Sequence, residues 1–162
     1  MIRVYIALGA NLESPKEQLD DAIVALRSLA EDANVQVSPY YRSAPMGEIE
    51  QPDYINAVAC LTTQLAPIEL LDALQTIEQQ QGRVRNVRWG ARTLDLDLLL
   101  YGDEQLSLPR LTVPHYGMKQ RSFVLVPLSD LAPQLILPCG TPIAALINDN
   151  LRAEVKQLGT DH

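Results

Sequence analysis

Residues 83–101 read RVRNVRWGARTLDLDLLLY, and the two halves of this stretch have opposite chemistry. Four arginines lie in the first half, whereas the second half sets Asp95 and Asp97 among leucines. Because side chains alternate between the two faces of a β-strand, the two carboxylates should share one face of a strand over residues 93–101. The opposite face is expected to consist of Leu94, Leu96, Leu98 and Leu100.

The acid pair and the arginines together suggest a site for metal and phosphate. Carboxylates two residues apart on a strand are separated by roughly 6.5–7 Å at the backbone, so they can converge on one hard cation or hold two. Guanidinium groups match phosphate oxygens bidentately and remain charged at every relevant pH. A surface cluster of salt bridges would give the same pattern, and the residues alone leave both interpretations open.

Composition sets limits on the class of protein. A chain of 162 residues suffices for one domain with a core, and we expect residues 1–162 to form a single domain. A net charge of -7 argues against nucleic acid or an anionic membrane as partner. Cys60 and Cys139 have neither metal-ligand spacing nor a disulfide pattern, and Cys60 is expected to be a buried thiol. No signal peptide or long apolar span is visible, so the cytoplasm is the expected location. No exposed apolar stripe demands a partner, so a monomer is expected.

Four strands and two helices are predicted up to residue 101. The strands are expected at residues 2–9, 35–41, 54–63 and 93–101. One helix should start with a capping box from Ser14 to Glu17, and the other should run from Pro67 to a C-cap at Gly82. This β-α-β-β-α-β order predicts an α+β, ferredoxin-like core, with a four-stranded antiparallel sheet and both helices on one face.

The remaining third of the chain is rich in proline and should form a C-terminal helical extension. The helical candidates there are residues 123–131 and 142–158, joined by loops that wrap the sheet.

The sheet face without leucines should carry Asp95, Asp97, Tyr54 and Asn56. An aromatic ring beside an amide suits a flat heterocycle, although a tyrosine packed under a loop explains the same residues. The loop over residues 42–53 is long enough to be functional, or it is a plain connection. No Walker A pattern occurs, so the arginines and a metal would have to bind the phosphates of any nucleotide.

Five segments of the chain resemble the signature of the 6-hydroxymethyl-7,8-dihydropterin pyrophosphokinase family of the folate pathway. They read YIALGANL at residues 5–12, QPDYINA at 51–57, EQQQGR at 78–83, RWGARTLDLDLL at 88–99 and LTVPHY at 111–116. The resemblance implies a ferredoxin-like enzyme that transfers a pyrophosphoryl group from ATP to the pterin hydroxymethyl oxygen and releases AMP.

The resemblance also implies roles for particular residues. Asp95 and Asp97 would bind two Mg²⁺ ions, and Arg83 and Arg92 would engage the phosphates during transfer, on a loop that closes over both substrates. The residues implied in pterin binding are Ser43, Ala44, Met46, Tyr54, Asn56, Trp89 and Phe123. The residues implied in ATP binding are Leu71, Gln75, Glu78, Leu98, Arg110, Thr112, His115, Tyr116 and Arg121.

Two other functions compete with this interpretation. A metal-dependent phosphohydrolase or nuclease could use Asp95 and Asp97, but the surrounding motif lacks further acidic or histidine ligands. A non-catalytic ferredoxin-like module for RNA or nucleotides is disfavoured by the net charge and by the missing aromatic motifs of RNA-binding sheets.

Overall fold

The computed structural model describes residues 2–10, 15–43, 54–83, 94–113, 122–153 and 155–157. Several predictions therefore lie outside the described residues, among them the helix cap at Ser14, the closing of the arginine loop over residues 84–93 and some of the predicted substrate-binding residues. Within the described part of the chain, no helix is both long enough and apolar enough to cross a membrane.

The main sheet is antiparallel and confirms the predicted ferredoxin-like core. Its strand order is β5–β1–β4–β3–β8, and the short strand β2 also pairs with β4. The strands are β1 (Ile2–Ala10), β2 (Gln36–Val37), β3 (Tyr41–Ser43), β4 (Tyr54–Thr63), β5 (Asp95–Tyr101) and β8 (Val155–Gln157). The predicted strand over residues 54–63 has the predicted bounds, and β5 pairs with β1 as the topology requires.

Two helices cover one face of the sheet. Helix α1 (Pro15–Leu26) continues as a 3-10 helix (Arg27–Leu29), and α2 spans Pro67–Arg83. Apolar side chains at helical spacing bury one stripe of each helix against alternate residues of β1 and β4. The predicted end of α2 at Gly82 is wrong by one residue, since the helix continues to Arg83.

The predicted strand at residues 35–41 is wrong as one continuous element, because it forms β2 and β3 with a break at Ser38. The Ser38 N–H donates to the Val58 carbonyl at 2.9 Å, and the Val58 N–H donates to the Ser38 Oγ at 2.9 Å. The hydroxyl thus replaces a backbone carbonyl in the ladder, and the following residue, Pro39, has no N–H to continue it.

The alternation of β5 is interrupted by a β-bulge. Tyr5 is opposite Leu100 and Ile6 is opposite Leu98, so Leu99 is an extra residue in β5. Leu99 and Leu100 therefore both face the second side of the sheet. The prediction that Leu100 shares a face with Leu94, Leu96 and Leu98 is wrong for this reason.

Helix α3 (Ser122–Leu131), predicted at residues 123–131, packs on the second side of the sheet. Its apolar side chains form a separate core with β1, β4 and β5 that includes Cys60, which is buried as predicted. The face opposite α1 and α2 is therefore polar only in part, because α3 covers the portion near Val58 and Leu99.

The predicted helix over residues 142–158 is mostly wrong. The structure has a 3-10 helix (Ile143–Leu146), a short helix α4 (Asp149–Ala153) and then strand β8, which pairs with β3. A hairpin of β6 (Leu106–Leu108) and β7 (Leu111–Val113) also occurs where only loops were predicted. Strands of three residues form by pairing with a neighbour, and their own sequence gives little signal.

Candidate active site

Asp95 and Asp97 occupy the beginning of β5, as the alternation predicted. Both side chains are partly buried, whereas Leu96 and Leu98 on the other face are only 4% and 3% exposed. Strand β5 is the first strand in the order of the described sheet, so one of its edges is not paired with another strand of that sheet. The acid pair therefore lies at an edge, where a ligand can approach the backbone as well as the carboxylates.

Glu78 of helix α2 forms a hydrogen bond to the backbone of this edge. Its Oε2 accepts a hydrogen bond of 2.7 Å from the N–H of Leu96, the residue between the two aspartates. Because backbone groups two residues apart on a strand point the same way, the N–H and C=O of Leu98 are also directed to this edge. A contact from Leu98 to ATP would thus use its backbone, since its side chain lies in the core.

One row of residues crosses the sheet from the acid pair to Asn56. Asp95 is opposite Gly9, Gly9 is opposite Asn56, and Asn56 is opposite Tyr41. With strands about 4.8 Å apart, the backbones of Asp95 and Asn56 are separated by roughly 10 Å.

Gly9 leaves space in this row for the amide beside it. A Cβ at Gly9 would lie 3.0 Å from Nδ2 of Asn56, which is shorter than ordinary van der Waals contact. The missing side chain lets the buried Asn56 amide extend over β1, on the face that carries Asp95 and Asp97.

Other residues predicted to bind the pterin border this row. Phe123 lies in the first turn of α3 and packs against the buried cluster of Tyr41, Val126 and Val155. Ser43 and Tyr54 are opposite each other where β3 and β4 meet the loop over residues 44–53. Ala44, Met46 and Trp89 lie outside the described residues.

The predicted ATP residues of α2 and the β6–β7 hairpin are also brought together. An Nη2 of Arg110 lies 2.6 Å from Oδ1 of Asp72 and 3.3 Å from Oε1 of Gln75. The Arg110 and Asp72 side chains are 50% and 56% exposed, so this ion pair is open to solvent and to an incoming phosphate. Thr112 is exposed on β7, and Leu71 is partly buried on α2.

The structure gives little information on the remaining predicted site residues. Arg83 is the last residue of α2. Arg92, His115, Tyr116 and Arg121 fall outside the described ranges.

Several titratable groups near the sheet are held neutral. Burial, followed by the hydrogen bond to Asp130, raises the pKa of Tyr41 to about 12. Burial is also the main cause that raises the pKa of Tyr5 and of the Cys60 thiol. Tyr41 is therefore a neutral hydrogen-bond donor at physiological pH.

The described residues contain no group of three or more histidine, cysteine, aspartate or glutamate side chains placed to hold a metal ion. Two carboxylates alone fit Mg²⁺, which is commonly bound by one or two carboxylates together with phosphate oxygens and water. The donor set of Asp95 and Asp97 thus suits a metal that arrives with a polyphosphate.

Four residues of the site region were not among the predicted site residues: Gly9, Asp72, Tyr41 and Asp130. Asp72 is three residues before Gln75 on an exposed face of α2, and this helical spacing is a signal that could have found it. Tyr41 and Asp130 are 89 residues apart in sequence, and no local pattern joins them.

The antiparallel sheet, the two helices on one of its faces and the acid pair at its edge define an α+β protein of the ferredoxin-like type. Residues 5–133 match the family described as 7,8-dihydro-6-hydroxymethylpterin-pyrophosphokinase (HPPK), and the chain belongs to this family.

Curated relatives cover most of the chain. A 2-amino-4-hydroxy-6-hydroxymethyldihydropteridine pyrophosphokinase of Pseudomonas aeruginosa is 57% identical over 145 residues, which are 90% of this chain and 90% of the relative. A protein of the same name from Haemophilus influenzae is 53% identical over 147 residues, covering 91% of this chain and 92% of the relative.

Solved structures support the fold. Wild-type Plasmodium falciparum HPPK-DHPS superposes with a TM-score of 0.75 over 96% of this chain, at 13% sequence identity. The present chain covers 44% of that longer chain.

Proposed function

We propose that the chain transfers the pyrophosphoryl group of ATP to the hydroxymethyl oxygen of 6-hydroxymethyl-7,8-dihydropterin and releases AMP, as a step of folate biosynthesis. Membership of the family supports this class of reaction. The observation that carries the site assignment is the row Asp95–Gly9–Asn56, which sets an amide and a carboxylate on one sheet face, roughly 10 Å apart at the backbone.

Asn56 and Phe123 bind and orient the pterin ring in this proposal. The amide offers both a donor and acceptors, so it can pair with the edge of a flat heterocycle, while an aromatic ring packs on the heterocycle's face. Because Asn56 is 6% exposed, its amide has little rotational freedom and holds the ring in one orientation. The hydroxymethyl group is then directed along the row toward the acid pair, with Ser43, Ala44, Met46, Tyr54 and Trp89 completing the pterin site.

Asp95 and Asp97 would hold Mg²⁺, and two ions are proposed. When bound, the metal would neutralise negative charge on the phosphates. Glu78 keeps the two carboxylates in place through the Leu96 N–H, so the strand does not shift when the charged substrate arrives.

The nucleotide is proposed to lie along the edge of β5. The side chains or backbone of Leu71, Gln75, Glu78 and Leu98 would contact adenine and ribose. Ribose and phosphates would be bound by Arg110, Thr112, His115, Tyr116 and Arg121, and Arg83 and Arg92 would engage the phosphates during transfer. Guanidinium groups suit this role because they bind phosphate oxygens bidentately. Positioning and charge neutralisation would then supply most of the rate enhancement.

The proposed reaction is tested by the nucleotide it produces. The purified protein is incubated with Mg-ATP, with and without the reduced pterin, and AMP, ADP and phosphate are separated by ion-exchange chromatography. AMP that forms only with the pterin supports the proposal, whereas ADP or phosphate formed regardless of pterin would indicate a phosphohydrolase.

Variants of the acid pair and of the amide separate the two halves of the site. Asp97→Asn is expected to lower kcat at least about 100-fold with little change in pterin Kd, since charge stabilisation in transfer reactions is worth several kcal/mol. Asn56→Ala is expected to raise the pterin Kd about tenfold, the effect of losing a buried hydrogen-bonding amide. Near wild-type transfer by Asp97→Asn would contradict the metal assignment.

We also propose that residues 1–162 act as one monomeric domain. Strand β8 completes the same sheet that β1 begins, so the C-terminal segment belongs to this folding unit. Light scattering coupled to size exclusion checks this, and a mass twice that of the 17.9 kDa chain would contradict it. The cytoplasmic location remains a prediction from the sequence.

A further inference from the structure

Two neighbouring tyrosines make the same kind of hydrogen bond on opposite sides of the sheet. The Tyr40 hydroxyl donates to Oδ1 of Asp20 on α1. The Tyr41 hydroxyl donates to Oδ2 of Asp130 on α3. Successive side chains of an extended chain point to opposite faces, which explains why adjacent residues reach different helices.

Tyr41 is the member of this pair that borders the proposed pterin site. It is opposite Asn56 in the β3–β4 register, so the side chains of the two residues start from backbone positions about 5 Å apart. The tyrosine is 5% exposed and belongs to a buried cluster with Val126 and Val155, and Phe123 packs against this cluster. Any shift of its ring would be transmitted to the proposed pterin residues on both sides, Asn56 and Phe123.

Asp130 and Phe123 are at opposite ends of helix α3. They are seven positions apart in the helix, a distance of about 10 Å along the axis. The Tyr41–Asp130 hydrogen bond thus attaches the C-terminal end of α3 to β3, while the N-terminal end carries Phe123. Nη2 of Arg152 on α4 lies 3.6 Å from the other oxygen of Asp130, as an ion pair.

We propose that Tyr41 and Asp130 are positioning residues that set the distance between Phe123 and Asn56 and thereby the affinity for the pterin ring. The inference rests on the proposed function, because it assigns these two partners to the pterin. Neither Tyr41 nor Asp130 touches the substrate in this proposal. Their effect is confined to pterin binding, because the acid pair and the Arg110 cluster are held by other contacts.

The test compares Tyr41→Phe with Tyr40→Phe. Each variant loses one hydroxyl and leaves one carboxylate without that donor, so the chemical change is matched. Tyr41→Phe is expected to raise the Kd of the reduced pterin about tenfold, the usual effect of losing a hydrogen bond to a charged group. The KM for ATP should stay within about twofold of wild type. Tyr40→Phe should leave both constants within about twofold.

The pterin Kd is measured by fluorescence titration in the presence of a non-hydrolysable ATP analogue, and KM values come from AMP formation. Thermal melting reports the loss of stability of each variant separately. Asp130→Asn provides a second route: its amide oxygen still accepts from the Tyr41 hydroxyl, so the pterin Kd should rise less than in Asp130→Ala. This graded rescue keeps the inference testable should Tyr41→Phe fail to fold.

Equal effects of Tyr40→Phe and Tyr41→Phe on pterin Kd would overturn the inference, as would a parallel rise in the KM for ATP. Failure of the proposed function itself gives a different result, since wild type would then form no pterin-dependent AMP. If wild type turns over the pterin and Asn56→Ala weakens its binding while Tyr41→Phe does not, only the positioning role is refuted.

Discussion

Gly9→Ala tests the row across the sheet most directly, because it adds a single methyl group between the two halves of the proposed site. The new Cβ would lie 3.0 Å from Nδ2 of Asn56, against an ordinary contact distance of 3.4–4 Å. The amide must therefore move by several tenths of an ångström. Asn56 is 6% exposed, so it has little room for that movement.

The expected magnitude follows from two opposing effects on folding and one on binding. Replacing glycine in a strand favours folding by about 0.5–1 kcal/mol through chain entropy. Overpacking a buried site costs about 1–3 kcal/mol, so we expect a net loss of stability of up to about 2 kcal/mol. A displaced amide loses its hydrogen bond to the pterin, which should raise the pterin Kd about tenfold.

The assay is fluorescence titration of the reduced pterin, combined with urea unfolding of each variant. A double-mutant cycle with Asn56→Ala isolates the cause. If the methyl acts through the amide, Gly9→Ala should weaken pterin binding strongly in wild type and by less than twofold in the Asn56→Ala background. The reasoning is refuted if Asn56→Ala weakens binding and Gly9→Ala alone leaves the pterin Kd within twofold of wild type.

Three further predictions concern stability, pH and thiol reactivity. Glu78→Ala removes the acceptor of the Leu96 N–H. It should lower kcat about tenfold, measured by AMP formation, and the free energy of unfolding by about 1–3 kcal/mol, measured by urea titration. The pKa of Tyr41 is raised to about 12 in the folded state, from a value near 10 in the unfolded state, so the folded state binds this proton more tightly. The stability that this difference contributes is complete below pH 10 and is lost as the pH rises to about 12. The urea midpoint should therefore fall less between pH 9 and pH 11.5 in Tyr41→Phe than in wild type, and an equal fall would contradict the assignment. Iodoacetamide at pH 7.5 should modify the exposed Cys139 and spare Cys60 until the chain unfolds, because Cys60 is buried and burial raises its pKa. Mass spectrometry of the peptides checks this, and labelling of Cys60 before unfolding would contradict it.

Local patterns predicted the parts of the fold that depend on near neighbours in sequence. The alternation of residues 54–63 gave β4 with its bounds, and the apolar spacing after Pro67 gave α2 to within one residue. The same alternation set Asp95 and Asp97 on the face opposite helices α1 and α2. What local patterns could not show was which of these residues lie across from one another.

The errors arise where a distant partner decides the structure. Leu100 changes face because the register with β1 at Tyr5 and Ile6 forces a bulge, and no feature of residues 93–101 alone reveals it. Strand β8 exists because β3 offers it an edge, which the helical composition of residues 142–158 conceals. The Tyr41–Asp130 hydrogen bond and the Arg110–Asp72 ion pair each join two separate elements, so neither could be predicted before the fold was known.

The proposed roles of the site residues remain predictions. The structure brings Asp95, Asn56 and Phe123 to one side of the sheet, and the reaction experiments above decide what they bind. Arg92, Trp89, His115, Tyr116 and Arg121 lie outside the described residues, so their assignment rests on the family resemblance alone.

The pairing of β8 with β3 has a consequence for how the chain matures during synthesis. Strand β3 leads into the proposed pterin loop, yet the strand that seals its outer edge comes near the end of the chain. Until those residues leave the ribosome, β3 presents unpaired N–H and C=O groups to other nascent chains, which is a recognised route to aggregation. A chain shortened before Val155 should keep most of its hydrophobic core, but β3 becomes the outer strand and the cluster of Tyr41 and Val126 loses the cover of Val155. We expect it to precipitate at concentrations where the full chain stays dispersed.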